Sequence, residues 1–453
     1  MTLPRGLMDK LGIYWFSHDL RVDDNPTLTA AAQEVDQLLC IAFTHTKLDY
    51  NFHSIPAQLS QNRLNFLLQS FVDLNQTLQK YGQHLLVCTE SAEHKIASLI
   101  TDYGITHLYL GDDGQLTKEA IVRSLQEKFP ALIVRKLGDN RLYSQRSLPF
   151  SVSDLPTTFS KFRRKVESIS TQTITPAPKC LPVPICSPEL WQKEYTYLQS
   201  SRQCQFYGGE CEGNRHLEKY FQGDYAHSYK LTRNALCGDY ESTKFSPWLA
   251  NGCLSVRRIL QALYKYEAEM GNNESTYWIF FELLWREYFQ WYAKCHRERL
   301  FSFSGIKGNN PSTSFYPERF RKWCEGNTPF AIVNACMKQL NATGYMSNRG
   351  RQLVASCFVN ELALDWRYGA AYMAQQLIDY DMASNWGNWQ YLAGVGADPR
   401  GLRHFDLEKQ TQRYDPDQVF IRHWQGYADR YPLDSVDAAD WPVDQSPAMT
   451  VNH

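Results

Sequence analysis

Residues 366–391 read WRYGAAYMAQQLIDYDMASNWGNWQY, and this stretch says most about how the chain folds. Tryptophan and tyrosine side chains alternate here with Asp379, Asp381 and Asn385. Aromatic side chains at this density are typical of a core, but carboxylates and amides are costly to bury without a hydrogen-bonding partner. A large ligand that is both aromatic and polar would supply that partner. The stretch therefore predicts a core built around such a ligand.

The composition limits the classes of function. The chain has 453 residues, a formal net charge of −1 and 12 cysteines. This length favours two domains, and the near-neutral charge means that any nucleic-acid binding must use a local basic surface. The cysteines form no C-x-x-C pair and no zinc-spaced set with histidine, so we expect reduced thiols and no metal site. Because there is neither a signal-peptide pattern nor an apolar run of ~18 residues, we expect a soluble cytoplasmic protein without a membrane span.

The chain divides into segments of different character. Residues 11–137 alternate short apolar runs with helical patterns, which predicts an α/β domain with a parallel, Rossmann-like sheet. Residues 138–205 are rich in proline, serine and threonine and predict a linker. Residues 206–428 show helical patterns without a convincing strand, and residues 429–453 predict a polar tail. We therefore expect an α/β domain followed by an all-α domain.

Two charged segments allow more than one interpretation. Residues 17–26, SHDLRVDDNP, follow the first predicted strand and contain neither a G-x-G-x-x-G motif nor a Walker lysine, so no Rossmann dinucleotide site is expected there. They fit a charged turn that ends in a helix start at Asn25 and Pro26. Residues 159–167, FSKFRRKVE, are basic and amphipathic. Either a solvated helix face or a nucleic-acid contact explains them.

A candidate phosphate-binding segment lies at residues 242–246. It consists of Ser242, Thr243, Lys244, Phe245 and Ser246, directly before a helical pattern. Hydroxyl groups and free backbone N–H groups at a helix start can bind phosphate. The same residues also fit a plain N-cap with a proline in the first helical turn.

One predicted helix carries a mixed polar and aromatic face. Helical spacing brings together Trp278, Glu282, Trp285, Arg286 and Phe289. A glutamate–arginine pair on a solvated face would contribute only a few tenths of a kcal/mol. Because tryptophans flank this pair, we interpret the face as the lining of a pocket for a flat polar ligand.

A second polar face follows at residues 348–352. Helical spacing puts Asn348, Arg351 and Gln352 on one side. A buried Arg351 would need a carboxylate partner such as Asp379. The alternative for this segment is a basic turn at the surface.

These segments, in this order, resemble the photolyase/cryptochrome family over roughly residues 12–425. A strand followed by R-x-D-D-N-P at residues 21–26 resembles the start of the family's antenna domain, and NWGNWQY at residues 385–391 resembles its DASH branch. The resemblance implies the photolyase/cryptochrome fold, an α/β N-terminal domain joined to an all-α C-terminal domain that binds FAD.

The resemblance also implies roles for the pocket residues. Tyr229 and residues 242–246 would hold the FAD pyrophosphate. The residues expected around the flavin are Arg286, Arg351, Asp379, Asp381 and Asn385. The neutral amide of Asn385 would lie opposite flavin N5 and influence which redox state persists. Glu282 and Asn348 would hydrogen-bond a pyrimidine dimer between the aromatic walls of Trp285 and Tyr391.

Further expectations concern DNA. The residues expected to contact it are Arg233, Asn348, Arg349, Gln352, Arg400, Arg403, His404 and Gln410. Contacts to phosphate position DNA without reading its sequence.

The chain departs from the family pattern in three places. Trp389 and Trp366 match the first two members of the family's electron-hopping chain, but Ser312 and Thr313 stand where a third tryptophan is expected. Trp323 or Tyr316 could take its place, or photoreduction is slow. Gln115 replaces a glutamate that many relatives use for their folate antenna, which argues against methenyltetrahydrofolate and leaves the antenna open. Residues 327–331, NTPFA, replace Gly-x-Thr-Gly-x-Pro, so local geometry is expected to differ.

The resemblance implies repair of cyclobutane pyrimidine dimers under blue light. We expect a monomer that prefers single-stranded DNA, because flipping a dimer out of a duplex costs a few kcal/mol of unpairing. Two alternatives stay open. One is a photoreceptor that signals through a partner without repair. The other is a flavin-bearing nucleic-acid-binding protein without physiological photochemistry.

Overall fold

The computed structural model describes residues 9–44, 50, 58–138, 140–185, 206–399, 401, 403–431 and 433–434. The described part contains one sheet with strand order β3-β2-β1-β4-β5, and a short β6 also pairs with β2. Every pairing in this sheet is parallel. The strands are β1 (Leu11–Trp15), β2 (Gln37–Phe43), β3 (Leu85–Cys88), β4 (His107–Leu110), β5 (Ile133–Arg135) and β6 (Val183–Pro184).

Helices cover both faces of the sheet, which explains why its central strands are continuous apolar runs. The connecting helices are α1 (Pro26–Glu34), α2 (Gln61–Gln79), α3 (Ala92–Tyr103) and α4 (Leu116–Lys128). Successive strand residues point to opposite faces. Tyr14 and Cys40 therefore pack into the core shared with the helical domain, whereas Ile13 and Leu39 pack into a second core under α3 and α4.

The second half of the described chain is helical. Its helices are α6 (Glu210–Gln222), α7 (Tyr225–Thr232), α8 (Ser246–Asn251), α9 (Val256–Met270), α10 (Glu274–His296), α11 (Pro317–Glu325), α12 (Ala331–Thr343), α13 (Asn348–Ser356), α14 (Trp366–Gln376), α15 (Met382–Leu392), α16 (Leu407–Tyr414) and α17 (Val419–His423). The predicted order, an α/β domain followed by an all-α domain, is confirmed.

The described part of the predicted linker packs closely against both domains. It contains α5 (Phe159–Val166), and β6 adds to the sheet beside β2. Phe162 and Val166 are fully buried, whereas Arg164 and Lys165 are exposed. The solvated basic face of this helix is thus present. A nucleic-acid contact by the helix stays a prediction. The domain boundaries also stay predictions.

The loop after β1 joins the two domains. Glu210, at the start of α6, accepts hydrogen bonds from the backbone N–H groups of Val22 and Asp23 at 2.9 and 3.1 Å. Asp24 forms a fully buried ion pair with Arg257 of α9 at 2.7 Å. These contacts set the angle between the sheet and the helical domain.

Gly252 ends α8 with φ +70°, and a Cβ there would lie 1.9 Å from the His18 carbonyl oxygen. Glycine is therefore required where the loop after β1 crosses this helix end. None of the described helices combines the length and apolar character needed to cross a membrane.

Candidate functional site

A cavity of about 810 Å³ opens in the helical domain. This volume lies in the upper part of the range of about 300–1,000 Å³ that is usual for small-molecule sites. Helices α7, α8, α10, α13, α14 and α15 contribute to its wall, together with residues 242–246. In the described part of the chain no group of three or more His, Cys, Asp or Glu side chains is placed to hold a metal. The volume of the cavity suits a large organic ligand.

Helix α10 contributes the mixed face that its spacing predicts. Trp278, Glu282, Trp285, Arg286 and Phe289 all line the cavity. A capping box formed by the side chains of Asn273 and Thr276 fixes the start of this 23-residue helix. The predicted pocket face is therefore present on one rigid element.

The Trp285 indole is held by aromatic contacts on two sides. The Phe159 ring of α5 stacks on it at a centroid distance of 3.8 Å, and the Tyr391 ring meets it edge-on at 5.9 Å. Trp285 and Tyr391 therefore form a right-angled aromatic corner in the cavity, which Phe159 supports from behind.

The Glu282 carboxylate forms an ion pair with Arg233, and the Arg233 guanidinium lies 4.5 Å above the Trp278 ring. Burial raises the pKa of Glu282 above its usual range, and the positive charge of Arg233 opposes the shift. Arg233, which is expected to contact DNA, thus also lowers the pKa of the Glu282 carboxyl group.

The acidic and amide groups of residues 379–385 also line the cavity. The Arg351 Nη2 lies 2.9 and 2.7 Å from the two oxygens of Asp379, which is the predicted pairing. Asp381 accepts hydrogen bonds from the Ser384 N–H and from Gln290 Nε2. The Asn385 Nδ2 donates to the Ala370 carbonyl at 3.0 Å. In this orientation the Asn385 amide has a second N–H donor and a carbonyl oxygen that can accept hydrogen bonds.

The candidate phosphate-binding segment also borders the cavity. Its residues and Tyr229 all contribute to the lining. No side chain caps the start of α8, so the plain N-cap interpretation lacks its hydrogen bond. Lys244 adopts φ +48°, a left-handed conformation that is unusual outside glycine. The hydroxyl groups of Ser242, Thr243 and Ser246 border the cavity, and that of Ser242 also hydrogen-bonds the Tyr345 side chain.

The two tryptophans of the predicted electron path differ in position. Trp389 lines the cavity and is 2% exposed. Trp366 is fully buried outside the lining and donates its Nε1–H to the Phe303 carbonyl at 3.0 Å. Ser312, at the expected third position, is exposed.

The predicted DNA-contacting residues lie around the cavity. Asn348, Arg349, Gln352 and Arg403 line it with Arg233. Gln410 lies outside the lining, where its Oε1 is 3.5 Å from an Arg349 nitrogen.

Arg403 donates a 2.6 Å hydrogen bond to the Tyr391 hydroxyl and therefore positions that ring. His404 is paired with Glu361 at 2.6 Å. Arg400 lies outside the described residues.

Gln115 lies at a second, much smaller cavity of about 50 Å³ between the sheet and the helical domain. Its Nε2 lies 3.1 Å from a His18 ring nitrogen. Asp113 in the same cavity pairs with Lys118 at 2.8 Å. Burial raises the pKa of Asp113, but Lys118 and His18 outweigh it and hold that pKa well below its usual range.

Three of the side chains at or beside the site that sequence reasoning missed are Gln290, Tyr345 and Phe159. Gln290 lies four residues after Arg286, so an extension of the helical spacing along α10 would have found it. Tyr345 lines the cavity, and burial raises its pKa to about 12. Phe159 reaches Trp285 from the linker. No local pattern identifies either of these two rings.

Comparison with known proteins assigns both halves of the chain. Residues 12–182 match the family model described as DNA photolyase, and residues 278–450 match the model described as FAD binding domain of DNA photolyase. A protein of Idiomarina loihiensis named "Cryptochrome DASH" is 54% identical over 96% of this chain and 97% of its own length. One of the same name from Vibrio parahaemolyticus is 48% identical with the same coverage. The crystal structure of a Synechocystis cryptochrome superposes with a TM-score of 0.83, at 36% identity over 92% of this chain and 89% of that one.

Proposed function

Because the chain belongs to the DASH branch of the photolyase/cryptochrome family, we propose that it repairs cyclobutane pyrimidine dimers under blue light, preferentially in single-stranded DNA. The predicted family, the photolyase/cryptochrome fold and the FAD cofactor are confirmed. Membership in the photolyase/cryptochrome family supports either light-dependent DNA repair or photoreception. The family binds DNA. We propose three finer points: repair rather than signalling, a cyclobutane pyrimidine dimer as the lesion, and a preference for single strands. The residues of the site support each of them.

The residues of the large cavity fit FAD. Residues 242–246 offer hydroxyls for a pyrophosphate, and the Arg351–Asp379 pair offers charged groups to a polar ring. The Asn385 oxygen is free to accept a hydrogen bond. Held by these residues in its reduced form, FAD would supply light-driven transfer of one electron to the dimer and would accept that electron back after the split.

The chain's own residues would bind and orient the flipped dimer. The right-angled rings of Trp285 and Tyr391 match the two bases of a dimer, which are not coplanar. Because its pKa is raised, Glu282 more readily carries a proton, which it can donate to a pyrimidine carbonyl. Asn348 adds a second hydrogen-bonding group at the exposed rim. These groups would stabilise the negative charge that the dimer carries after reduction.

The preference for single strands rests on the cost of base flipping. Unpairing a dimer from a duplex costs a few kcal/mol, and a single strand avoids that cost. Arg233, Arg349 and Arg403 at the cavity can contact phosphates in either context. They therefore favour DNA without favouring a duplex.

One observation carries the proposal. A carboxyl group with a raised pKa faces the same cavity as the aromatic corner and the Arg351–Asp379 pair. A photoreceptor needs the flavin site but has no need of a proton donor beside two rings placed to bind bases.

The decisive experiment measures blue-light repair of a thymine dimer in a single-stranded oligonucleotide, without oxygen, after chemical reduction of the bound FAD. We expect repair by the wild type. The Glu282→Ala variant should lose about tenfold or more in yield, because a hydrogen bond to a charged group contributes about 1.5–3 kcal/mol. The matched control is Glu269→Ala, an exposed glutamate of α9, which should repair normally.

The FAD content of each variant is measured from its absorbance. Absence of repair by wild-type protein that holds reduced FAD would reject the proposal and favour the photoreceptor. Equal yields for one dimer in single- and double-stranded DNA would reject the strand preference alone.

A further inference from the structure

We propose that Trp389, Trp323 and Tyr372 form an electron path from the protein surface to the FAD cavity. This path does not pass through Trp366, and it ends on a tyrosine. It replaces the route that Ser312 and Thr313 interrupt. The inference requires FAD in the cavity but does not depend on DNA repair.

The three rings are in continuous contact. The Trp389 ring lies 6.3 Å from the Trp323 ring, and the Trp323 ring lies 5.7 Å from the Tyr372 ring, measured between centroids. Both distances fall within the range of about 4.5–7 Å at which aromatic rings interact. Phe358 fills the angle between the indoles, 4.6 Å from Trp323 and 5.5 Å from Trp389. Water is therefore excluded from the inner part of the path.

The path becomes exposed to solvent only at its outer end. Trp389 borders the FAD cavity, Trp323 is fully buried, and Tyr372 is half-buried. The Tyr372 hydroxyl donates a 2.7 Å hydrogen bond to the Oδ1 of Asn341, which is exposed. The terminal phenol thus lies where both a proton and a solution reductant can be exchanged.

The electron and proton balance is simple. Trp389 gives one electron to light-excited oxidised FAD, and Trp323 then gives one to the Trp389 cation radical. Tyr372 gives one electron to the Trp323 cation radical, and its phenolic proton leaves to water at the surface. The neutral tyrosyl radical that remains takes a hydrogen atom from a small-molecule thiol, and two thiyl radicals combine into a disulfide.

The second set of contacting rings is less suited to this chemistry. Trp366 lies 5.8 Å from Trp386, which in turn lies 5.2 Å from Tyr50. The Tyr50 oxygen accepts a hydrogen bond from Arg367 at 3.3 Å. That guanidinium is ion-paired with Asp365 at 2.7 Å, and because it has only N–H donors it cannot take the phenolic proton. Tyr372, in contrast, donates a hydrogen bond to the neutral amide of exposed Asn341, where its proton can pass to water.

The test is light-induced electron paramagnetic resonance of the FAD-loaded protein in its oxidised state without a thiol. We expect a tyrosyl radical signal in the wild type and loss of that signal in Tyr372→Phe, which keeps the ring and removes only the hydroxyl. With thiol present, Tyr372→Phe should also reduce its FAD more slowly under blue light. Tyr264→Phe, on a half-exposed tyrosine of α9, is the matched control and should retain both properties.

Three further variants, Trp323→Phe, Tyr316→Phe and Trp366→Phe, separate the routes. Trp323→Phe should also lose the radical signal. Because its Nε1 donates to the Val354 carbonyl in the core, this variant can lose stability, and Tyr372→Phe then decides alone. A radical signal that survives in Tyr372→Phe, or that disappears in Tyr316→Phe or Trp366→Phe instead, would overturn the proposal. The cavity is checked separately in Tyr372→Phe. Its FAD is reduced chemically in the dark, and blue-light repair is then measured, because this repair does not need the electron path.

Discussion

At the scale of single residues, Glu282 is the group whose chemistry depends most on its surroundings. Burial favours its protonated form, and Arg233 favours its ionised form. The effect of Arg233 acts through direct contact, since its guanidinium is ion-paired with the Glu282 carboxylate. The balance between them decides whether Glu282 donates or accepts a hydrogen bond.

This balance predicts a pH dependence of repair. The protonated acid donates to the dimer, so repair by chemically reduced protein should fall as pH rises through the raised pKa of Glu282. Glu282→Gln should repair over the whole range with little pH dependence, because its amide remains a donor. Arg233→Gln should shift the fall to higher pH, because it removes the charge that lowers this pKa. An unchanged pH profile in Glu282→Gln would exclude Glu282 as the titrating group.

At the scale of elements, Asp381 connects the start of α15 to the flavin site. Its Oδ1 caps the helix by accepting the Ser384 N–H at 2.7 Å, and its Oδ2 accepts from Gln290 of α10 at 2.6 Å. One side chain therefore fixes both the helix that carries Asn385 and Trp389 and its position against α10.

Replacing Asp381 should accordingly affect stability and FAD binding together. Asp381→Ala should lower the free energy of unfolding by about 1 kcal/mol through loss of the cap and should also lower the ratio of FAD to protein. Asp406→Ala removes an equivalent cap from α16 and should lower stability without changing that ratio. Thermal unfolding and FAD absorbance measure the two quantities. An equal loss of FAD in both variants would contradict a specific role for Asp381.

At the scale of the whole molecule, the junction of the domains contains a buried carboxyl group. Glu210 is 8% exposed, and burial raises its pKa from 4.5 to about 7 although it accepts two backbone hydrogen bonds. Because the folded pKa exceeds the unfolded one, the native protein binds this proton more tightly than the unfolded chain does. The stabilising contribution is complete below pH 4.5 and is lost as pH rises through about 7.

The stability difference between wild type and Glu210→Gln should therefore change with pH. On going from acid to neutral pH the wild type should lose up to about 3 kcal/mol relative to this variant. Denaturant unfolding at several pH values measures the difference, and other titrating groups cancel in it. Glu212→Gln, on the same helix, is the control and should show no such trend. A constant difference for Glu210→Gln would mean that folding leaves the pKa of this carboxyl group unchanged.

Local features of the sequence determined much of this protein. Alternating apolar and helical patterns predict the two domains, and helical spacing predicts the cavity faces of α10 and α13. The pairing of Arg351 with Asp379 also follows, because a buried guanidinium requires a carboxylate. Each of these inferences depends on spacing within one element or on the cost of burial, and both can be read along the chain.

Only the tertiary structure decided which side chains from different elements meet. Arg233 reaches Glu282 from α7's end, Phe159 reaches Trp285 from the linker, and Trp323 of α11 touches Trp389 of α15. These contacts depend on how helices dock, and docking follows from the packing of whole faces rather than from any local pattern. The sequence therefore indicated a flavin site, whereas the packing of the helices set the pKa of its acid and the direction of its electron path.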